Sequence, residues 1–213
     1  MQQPQVIFED YYLLVLNKPY GLQTEADNFG NPSLELWAHQ HIQQQHPKKK
    51  TVFVGIVHRL DRPVAGIVLI AKTKTALANL NKQFEERKVK KTYEAVVEKK
   101  PLKELDTLTH FLKKDVKFKK ALISERPKKD FVKCSLTYHS QKINKDKSAL
   151  LEIELHTGRY HQIRAQLAFI DCPIVGDVLY GAKTKSNENK IELAATALSF
   201  THPFSNKPME VRL

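Results

Sequence analysis

Short apolar segments alternate with polar ones along most of the chain, and their periods predict both strands and helices. Leu151, Ile153 and Leu155 alternate with two glutamates, which places the three apolar side chains on one face of a half-buried strand. Residues 67–71 and 93–97 are apolar, rich in β-branched side chains and of strand length. These segments predict a sheet with a buried face.

Three other segments have the period of an amphipathic helix. Ser33 is a candidate N-cap for the first helix. The helix face predicted after it consists of Leu34, Trp37, Ala38, His41 and Ile42. A second helix is predicted to begin near Thr73 or Thr75, with one side made of Ala76, Leu77, Leu80 and Phe84. A third helix is expected after Gly158, with its inward side made of Ile163, Leu167 and Ile170.

The order of these elements indicates the fold class. Strands outnumber helices and the two interleave irregularly, which favours an α+β domain over a regular βαβ repeat. A chain of 213 residues has the size of one domain. Neither an internal repeat nor a Pro/Gly/Ser-rich linker marks a boundary. We therefore expect residues 1–213 to form a single domain.

The termini, apolar runs and cysteines indicate where the protein works. Residues 1–10 lack the basic end and apolar stretch of a secretory signal. The longest apolar run, residues 65–71, is far shorter than the ~20 residues of a membrane span. Cys134 and Cys172 are far apart and show no metal-binding spacing. We expect a cytoplasmic protein that is monomeric and binds no metal.

Positive charge is concentrated in one part of the chain. Lys and Arg total 35 against 23 Asp and Glu, a formal net charge of +12. Residues 99–133 hold twelve basic side chains against five acidic ones, and smaller clusters lie at residues 48–50 and 88–91. A solvated surface would explain a single run. Three runs on a strongly basic chain favour a surface that contacts phosphates.

Residues 58–62 carry the densest group of reactive side chains. Asp61 lies between Arg59 and Arg62, and nearby cations favour an ionised carboxylate. Such a carboxylate can act as nucleophile, base or electrostatic stabiliser, whereas a structural ion pair is the simpler alternative. A metal site made of His58 and Asp61 is disfavoured because the arginines would repel a cation and no third ligand has the right spacing.

A second polar cluster lies at residues 158–164. Arg159 and Arg164 flank the start of the third predicted helix, where they could bind phosphate or pair with Asp61. Tyr93, in a predicted strand, is either a packing residue or a platform for base stacking. The chain has no glycine-rich phosphate-binding motif, so no nucleotide cofactor is expected.

Six motifs, in order over residues 8–212, resemble those of the RluA-type pseudouridine synthases. They are Lys18-Pro-Tyr-Gly-Leu22, His58-Arg-Leu-Asp-Arg62, Lys91-Thr-Tyr-Glu-Ala95, Gly158-Arg-Tyr-His-Gln-Ile-Arg164, Gly176-Asp-Val-Leu-Tyr-Gly181 and Leu198-Ser-Phe-Thr-His-Pro203. The resemblance implies a bent, mostly antiparallel mixed sheet flanked by helices, with the active site in a basic cleft. It implies isomerisation of uridine to pseudouridine in rRNA or tRNA after the base is flipped out, without a cofactor.

The resemblance also implies roles for individual residues. Asp61 becomes the catalytic aspartate, Tyr93 the side chain that stacks on the uracil and takes a sugar proton, and Arg164 the ion-pair partner of Asp61. Arg59 is implied to contact RNA and to fill the space of the extruded base. The other RNA contacts that we predict are His58, Arg62, Arg159, His161, Lys18, Lys90 and Lys91. We expect no separate RNA-binding module in front of the catalytic domain.

The chain departs from the family pattern beside the catalytic positions. Val64 and Ala65 replace Thr and Ser, Tyr160 replaces Thr, Gln166 replaces His, and Ala194-Ala195 replaces His-Ala. These changes leave the reaction class intact and affect fine hydrogen bonding and the choice of substrate. Two other functions stay open at this point. One is a non-catalytic RNA-binding protein or RNA chaperone, and the other is a metal-dependent nuclease or phosphohydrolase using His58, Asp61 and His161.

Overall fold

The structure, a computed structural model, describes residues 2–144, 146–186 and 190–213. In chain order the elements are β1 (Gln5–Glu9), β2 (Leu13–Lys18), α1 (Leu34–Gln45), β3 (Gly55–Ile56), β4 (Ala65–Ala71), α2 (Lys74–Glu85), β5 (Lys90–Val97), β6 (Leu105–Asp115), β7 (Lys120–Ser124), β8 (Val132–Ile143), β9 (Ala149–Leu155), α3 (Gln162–Phe169), a 3₁₀ turn (Val178–Tyr180), β10 (Leu193–Thr201) and β11 (Pro208–Arg212). The pairings β1–β2, β2–β4, β3–β4, β10–β11, β5–β9, β8–β9, β6–β8 and β6–β7 are antiparallel.

The chain divides into two compact units. The first unit comprises Met1–Val89 and Ala195–Leu213, and the second comprises Lys90–Ala194. The α+β class predicted from the sequence is confirmed. The expectation that residues 1–213 act as one domain stays a prediction.

In the first unit the strands follow the order β1-β2-β4-β10, with β3 paired to β4 and β11 paired to β10. All seven residues of β4 are buried, which explains the continuous apolar run in the sequence. Apolar side chains of β2, β4 and α2 form one core, represented by Leu13, Leu69 and Leu80. This core supports the loop that precedes β4.

Helix α1 begins after the predicted cap Ser33, and α2 begins after Thr73, one of the two starts that the sequence left open. The Ser33 hydroxyl accepts a hydrogen bond from the Leu36 N–H, and the Thr73 hydroxyl accepts one from the Ala76 N–H. Each cap satisfies a backbone donor that the helix itself leaves unpaired. The buried side chains of α1 are Leu34, Ala38 and Ile42, as the period predicted. No described helix is both long and apolar enough to cross a membrane.

In the second unit the strands follow the order β5-β9-β8-β6-β7. Helix α3 packs on one face of this sheet, where Ala165 joins a cluster with Leu112, Ala121 and Cys134. In β9 the side chains of Leu151, Ile153 and Leu155 are buried, which confirms the predicted alternation. Helix α3 also forms after Gly158 as predicted, although Ile170 lies at its C-cap.

Residues 99–133, singled out for their charge, contain strands that the sequence analysis missed. This segment supplies β6, β7 and the start of β8. In β6 the even-numbered positions Leu108, His110 and Leu112 are buried on the α3 side. The alternation is weak in the sequence because the buried face includes His110 and the opposite face includes Phe111.

Candidate functional site

Asp61 lies in the loop between β3 and β4, and hydrogen bonds on both of its sides shape that loop. The Thr24 hydroxyl donates to the Leu60 carbonyl (2.9 Å) and accepts from the Leu60 N–H (3.1 Å). The Val64 N–H donates to the carbonyl of Asp61 at 3.0 Å. The Asp61 side chain is half-buried. The loop therefore holds this carboxylate on a constrained backbone at the edge of the core.

Lys18 connects the first motif to the Asp61 loop. Its ammonium group is fully buried and donates to the carbonyls of Leu22 (2.7 Å), Pro19 (3.1 Å) and Arg62 (3.4 Å). Burial lowers the pKa of Lys18 to about 7, while the negative charge of Asp61 raises it. An ammonium group with no exposed surface cannot reach an RNA phosphate. The RNA contact expected of Lys18 is therefore replaced by a structural role.

The two segments also exchange hydrogen bonds directly. The Gly21 N–H donates to the Arg62 carbonyl, and Arg62 Nε donates to the Gly21 carbonyl, both at 2.9 Å. The guanidinium group of Arg62 thus braces the loop, although the residue is exposed and its predicted RNA contact stays a prediction.

His58 and Arg59 lie in contrasting surroundings. His58 Nε2 accepts a hydrogen bond from the Leu69 N–H (3.1 Å), and its ring stacks on Phe84 with 5.1 Å between centroids. Arg59 is exposed and pairs with Glu25 at 2.6 Å. Such an exposed pair contributes little to stability and is readily exchanged for another anion. The guanidinium group of Arg59 is therefore accessible on this loop, and its predicted RNA contact stays a prediction.

In the second unit, Arg164 on α3 forms a buried pair with Asp177. Arg164 Nε and Nη2 donate to the two carboxylate oxygens at 2.6 and 2.8 Å, in bidentate geometry. The two side chains are 6% and 1% exposed. Arg164 also lies over the ring of Tyr180, 5.1 Å from its centroid. Asp177 thus fixes the orientation of Arg164, whose predicted pairing with Asp61 stays a prediction.

The segment before α3 is held by aromatic contacts. His161 has a left-handed backbone (φ 51°), its ring stacks on Tyr160 at 3.8 Å, and its Nδ1 lies 3.1 Å from Tyr180 Oη. The Arg159 N–H donates to Gln162 Oε1 at 3.1 Å, and the Arg159 side chain is exposed. The structure therefore brings Arg159, His161 and Arg164 together on one short segment.

Tyr93 lies on β5, opposite Ile153 of β9. It is 7% exposed and lies on the face of the second unit's sheet against which α3 packs. In the same strand Lys90 is exposed and Lys91 is half-buried. A Cβ atom built on Gly158 would lie 3.5 Å from Lys91 Nζ, so this ammonium group is close to the segment that precedes α3.

The sequence analysis missed Asp177 and Tyr180 as functional residues. Both lie in the Gly176–Gly181 motif, whose two bracketing glycines were the available signal. Their positions next to Arg164 follow from side-chain packing, which the linear pattern does not show.

Gln166 departs from the family pattern and Ala195 does not, and the structure shows what each of them contacts. Gln166 is fully buried, and its amide group accepts from Gln162 Nε2 (2.9 Å) and donates to the Leu108 carbonyl (3.2 Å). Ala195 approaches Gly66 so closely that a Cβ atom on the glycine would lie 2.2 Å from the Ala195 carbonyl oxygen. Glycine is therefore needed at position 66 of β4.

Within residues 2–144, 146–186 and 190–213, no three His, Cys, Asp or Glu side chains gather as metal ligands would. The set of His58, Asp61 and His161 that a nuclease would need is thus not found as a cluster in this part of the chain.

Comparison with solved structures identifies the fold. The human protein RNA Pseudouridylate Synthase Domain Containing 4 has a TM-score of 0.81 at 22% identity, over 98% of this chain and 87% of that one. Its relative RNA Pseudouridylate Synthase Domain Containing 1 has a TM-score of 0.79 at 19% identity, over 99% and 83%. The fold is that of a pseudouridine synthase domain.

Sequence comparison identifies the family. The family model for RNA pseudouridylate synthases matches residues 12–169, and the chain belongs to this family. It is 34% identical to an uncharacterized RNA pseudouridine synthase of Mycoplasma genitalium (97% of this chain, 65% of the relative). It is 33% identical to ribosomal large subunit pseudouridine synthase C of Buchnera aphidicola (95% and 64%). The chain thus spans just under two thirds of the length of these relatives.

Proposed function

We propose that this protein is an RNA pseudouridine synthase that isomerises uridines in structured RNA, either rRNA or tRNA. Its family membership supports this proposal, and relatives named as ribosomal large subunit pseudouridine synthases favour rRNA. The observation that carries the proposal is the position of Asp61. This aspartate lies in a loop that the buried Lys18 and the Gly21–Arg62 hydrogen bonds hold in place.

Asp61, Tyr93 and Arg164 would act on the same uridine. The bond between ribose C1′ and uracil N1 breaks, the detached uracil turns, and a bond forms between C1′ and C5. The proton on C5 leaves and N1 gains one, so the product has the mass of the substrate. Asp61 attacks the ribose, attacks the uracil, or assists formation of a glycal. Tyr93 stacks on the uracil and takes a sugar proton, and Arg164 keeps Asp61 anionic.

RNA binding would involve exposed cations of both units. The target uridine has to leave its stack at a cost of a few kcal/mol, which insertion of Arg59 and stacking on Tyr93 would offset. The exchangeable pair between Arg59 and Glu25 supports this role. Arg62, Arg159, Lys90, Lys91, His58 and His161 would add contacts. The lysines of residues 88–91 and 99–133 would hold the RNA backbone.

The setting of the reaction is also part of the proposal. We place it in the cytoplasm and expect a monomer that works as one catalytic domain without metal or cofactor. Cys134 and Cys172 are both free thiols, and burial raises the pKa of each above its usual value. Protonated, buried thiols are compatible with a reducing compartment.

The test is pseudouridine mapping with purified protein. Total RNA from cells lacking the gene is incubated with the wild type or with Asp61→Asn, treated with carbodiimide, and read by primer extension. We expect new stops with the wild type in the presence of EDTA, and none with Asp61→Asn, which should still bind RNA. Substantial activity in Asp61→Asn, or RNA strand cleavage, would contradict the proposal.

A further inference from the structure

The hairpin that joins β6 to β7 ends in an exposed aromatic side chain surrounded by lysines. Residues 113–120 contain five lysines and one acidic residue. At the tip, Phe118 is 60% exposed and Val116 is 75% exposed. The ammonium groups of Lys117 and Lys120 lie 5.4 and 5.9 Å from the centroid of the Phe118 ring. An apolar ring is thus exposed to solvent and surrounded by positive charge. We call residues 113–120 the hairpin tip.

Internal contacts hold the hairpin tip in a defined conformation. The Phe118 N–H donates to Asp115 Oδ1 at 3.1 Å, which closes the turn. Lys119 has a left-handed backbone (φ 48°), an uncommon conformation for a residue other than glycine. Its carbonyl accepts a hydrogen bond from Tyr160 Oη at 3.1 Å. The turn is therefore ordered before any ligand arrives, which lowers the entropy cost of binding.

Tyr160 and Tyr180 connect the hairpin tip to the segment that carries Arg164. Tyr180 Oη accepts a hydrogen bond from the Ala121 N–H at 2.6 Å, and the Lys114 ammonium group lies 4.6 Å from the Tyr160 ring. The family usually has threonine at position 160. A threonine side chain would be too short to reach the Lys119 carbonyl or the Lys114 ammonium group. The tyrosine thus gives this chain its own link between the hairpin and the candidate site.

The exposed ring and the lysines match the chemistry of an unpaired nucleotide. Single-stranded nucleic acid binds where bases stack on aromatic side chains and cations meet the phosphates. A duplex offers phosphates without a free base face, so the lysines alone would serve it. A duplex has no free base on which the exposed ring could stack, so the ring favours an unpaired nucleotide as the ligand.

We propose that Phe118 stacks on an unpaired base of the RNA substrate, while Lys117, Lys119 and Lys120 contact the adjoining phosphates. This inference rests on the proposed function, because it assigns the hairpin tip to the RNA that carries the target uridine. It adds a preference: the RNA has a single-stranded nucleotide where it meets the hairpin tip.

The test compares Phe118→Leu with the wild type in fluorescence anisotropy titrations. One probe is a single-stranded RNA oligonucleotide of mixed sequence, and the other is the same strand annealed to its complement. We expect Phe118→Leu to weaken single-strand binding about five- to 150-fold, the range that loss of one stacked base produces. Duplex binding should change less than twofold, and Phe118→Tyr should bind as the wild type does.

The control is Phe29→Leu, since Phe29 is 89% exposed and has no lysine among residues 25–35. It should leave both affinities unchanged. Wild-type affinity of Phe118→Leu for the single strand, or an equal loss for both probes, would overturn the proposal. Vesicles of phosphatidylglycerol serve as a third probe. If Phe118→Leu lost binding to these vesicles but kept its RNA affinity, the hairpin tip would contact a membrane surface and the proposal would be overturned. Because binding is measured without turnover, a wild type that binds RNA but forms no pseudouridine would contradict the proposed function alone.

Discussion

Lys18 carries its ammonium group into the interior of the first unit, where backbone carbonyls surround it and the charge of Asp61 acts on it. Burying a cation costs free energy unless its hydrogen bonds are satisfied, and here three carbonyls accept them. Two of these carbonyls belong to the segment after β2 and one to the Asp61 loop. The residue therefore joins two motifs that are separate in the sequence.

Lys18→Met should change how stability depends on pH. The pKa of Lys18 is about 7 in the folded protein and about 10.5 in the unfolded chain. Between these values the unfolded state binds more protons, so the wild type gains about 1 kcal/mol of unfolding free energy per pH unit on rising from pH 7. Urea unfolding from pH 7 to 9 measures this gain relative to Lys18→Met.

The exposed Lys74 supplies the control for this measurement. Lys74→Met should differ from the wild type by a constant amount across the same pH range. A constant difference for Lys18→Met as well would show that the buried ammonium keeps its ordinary pKa.

Asp177→Asn should destabilise the second unit, because it removes the charge of a carboxylate that pairs with the buried guanidinium group of Arg164 in bidentate geometry. Removing one partner of a buried ion pair costs about 3 kcal/mol or more. The measurement is again the free energy of unfolding in urea, with the exposed Asp171→Asn as a control that should change it by less than about 0.5 kcal/mol. Equal stability of the two variants would argue against a structural role for Asp177.

Strand β4 is buried along its whole length, and its second residue has a positive φ that only glycine adopts easily. Gly66 has φ 115° and lies against the backbone of Ala195 in β10. The strand begins directly after the Asp61 loop. Its register with β2 runs from Lys18↔Gly66 to Leu13↔Ala71, and this register fixes where the end of the Asp61 loop lies along β2. Here one element positions the candidate catalytic residue through main-chain packing.

Gly66→Ala should therefore be severely destabilising. A Cβ atom would meet the Ala195 carbonyl oxygen at 2.2 Å in addition to the strain of the positive φ. We expect a loss of more than about 3 kcal/mol, seen as a large drop in the thermal midpoint or as insoluble protein. Gly30 also has a positive φ (72°) but nothing within 4 Å of a Cβ atom, so Gly30→Ala should cost only about 1 kcal/mol. Similar losses at both positions would contradict the steric explanation.

At the scale of the whole molecule, the net charge of +12 is unevenly distributed. The structure shows which of the basic side chains are paired with acidic ones and which are exposed. Lys113 pairs with Asp130 and Lys103 with Asp106, so part of the charge of residues 99–133 is used internally. The loop between β7 and β8 exposes Arg126, as well as Lys128 and Lys129. This loop and the hairpin tip form the part of the basic segment best placed to bind phosphates.

Replacing Arg126, Lys128 and Lys129 together by glutamine should weaken RNA binding and reduce its salt dependence. Each lost phosphate contact lowers the slope of log K against log salt by about 0.7 to 0.9. Titrations between 50 and 200 mM KCl measure the slope. The same change at Lys48, Lys49 and Lys50 alters the net charge equally and should affect the slope less. Equal effects would show that only the total charge matters.

The chain's own pattern was sufficient for much of the fold because hydrophobic period and capping chemistry are local. Ser33 and Thr73 begin α1 and α2, and the alternation of β9 is visible in five consecutive residues. Six motifs in order likewise indicated the family, which the family model confirms. By contrast, the pattern of β6 to β8 is weak, because their buried positions include His110, Ser124 and Ser140, which interrupt an apolar period of two.

The sequence by itself determined the α+β class, the helix starts, the family and the candidate residues, because each depends on residue type or short spacing. Only the tertiary structure decided what those residues touch. It turned Lys18 from an RNA contact into an internal support, gave Arg164 the partner Asp177, and placed Tyr160 beneath the hairpin tip. These outcomes depend on burial and on contacts between distant parts of the chain, since a charged side chain looks the same in a sequence whether solvent or a carbonyl surrounds it.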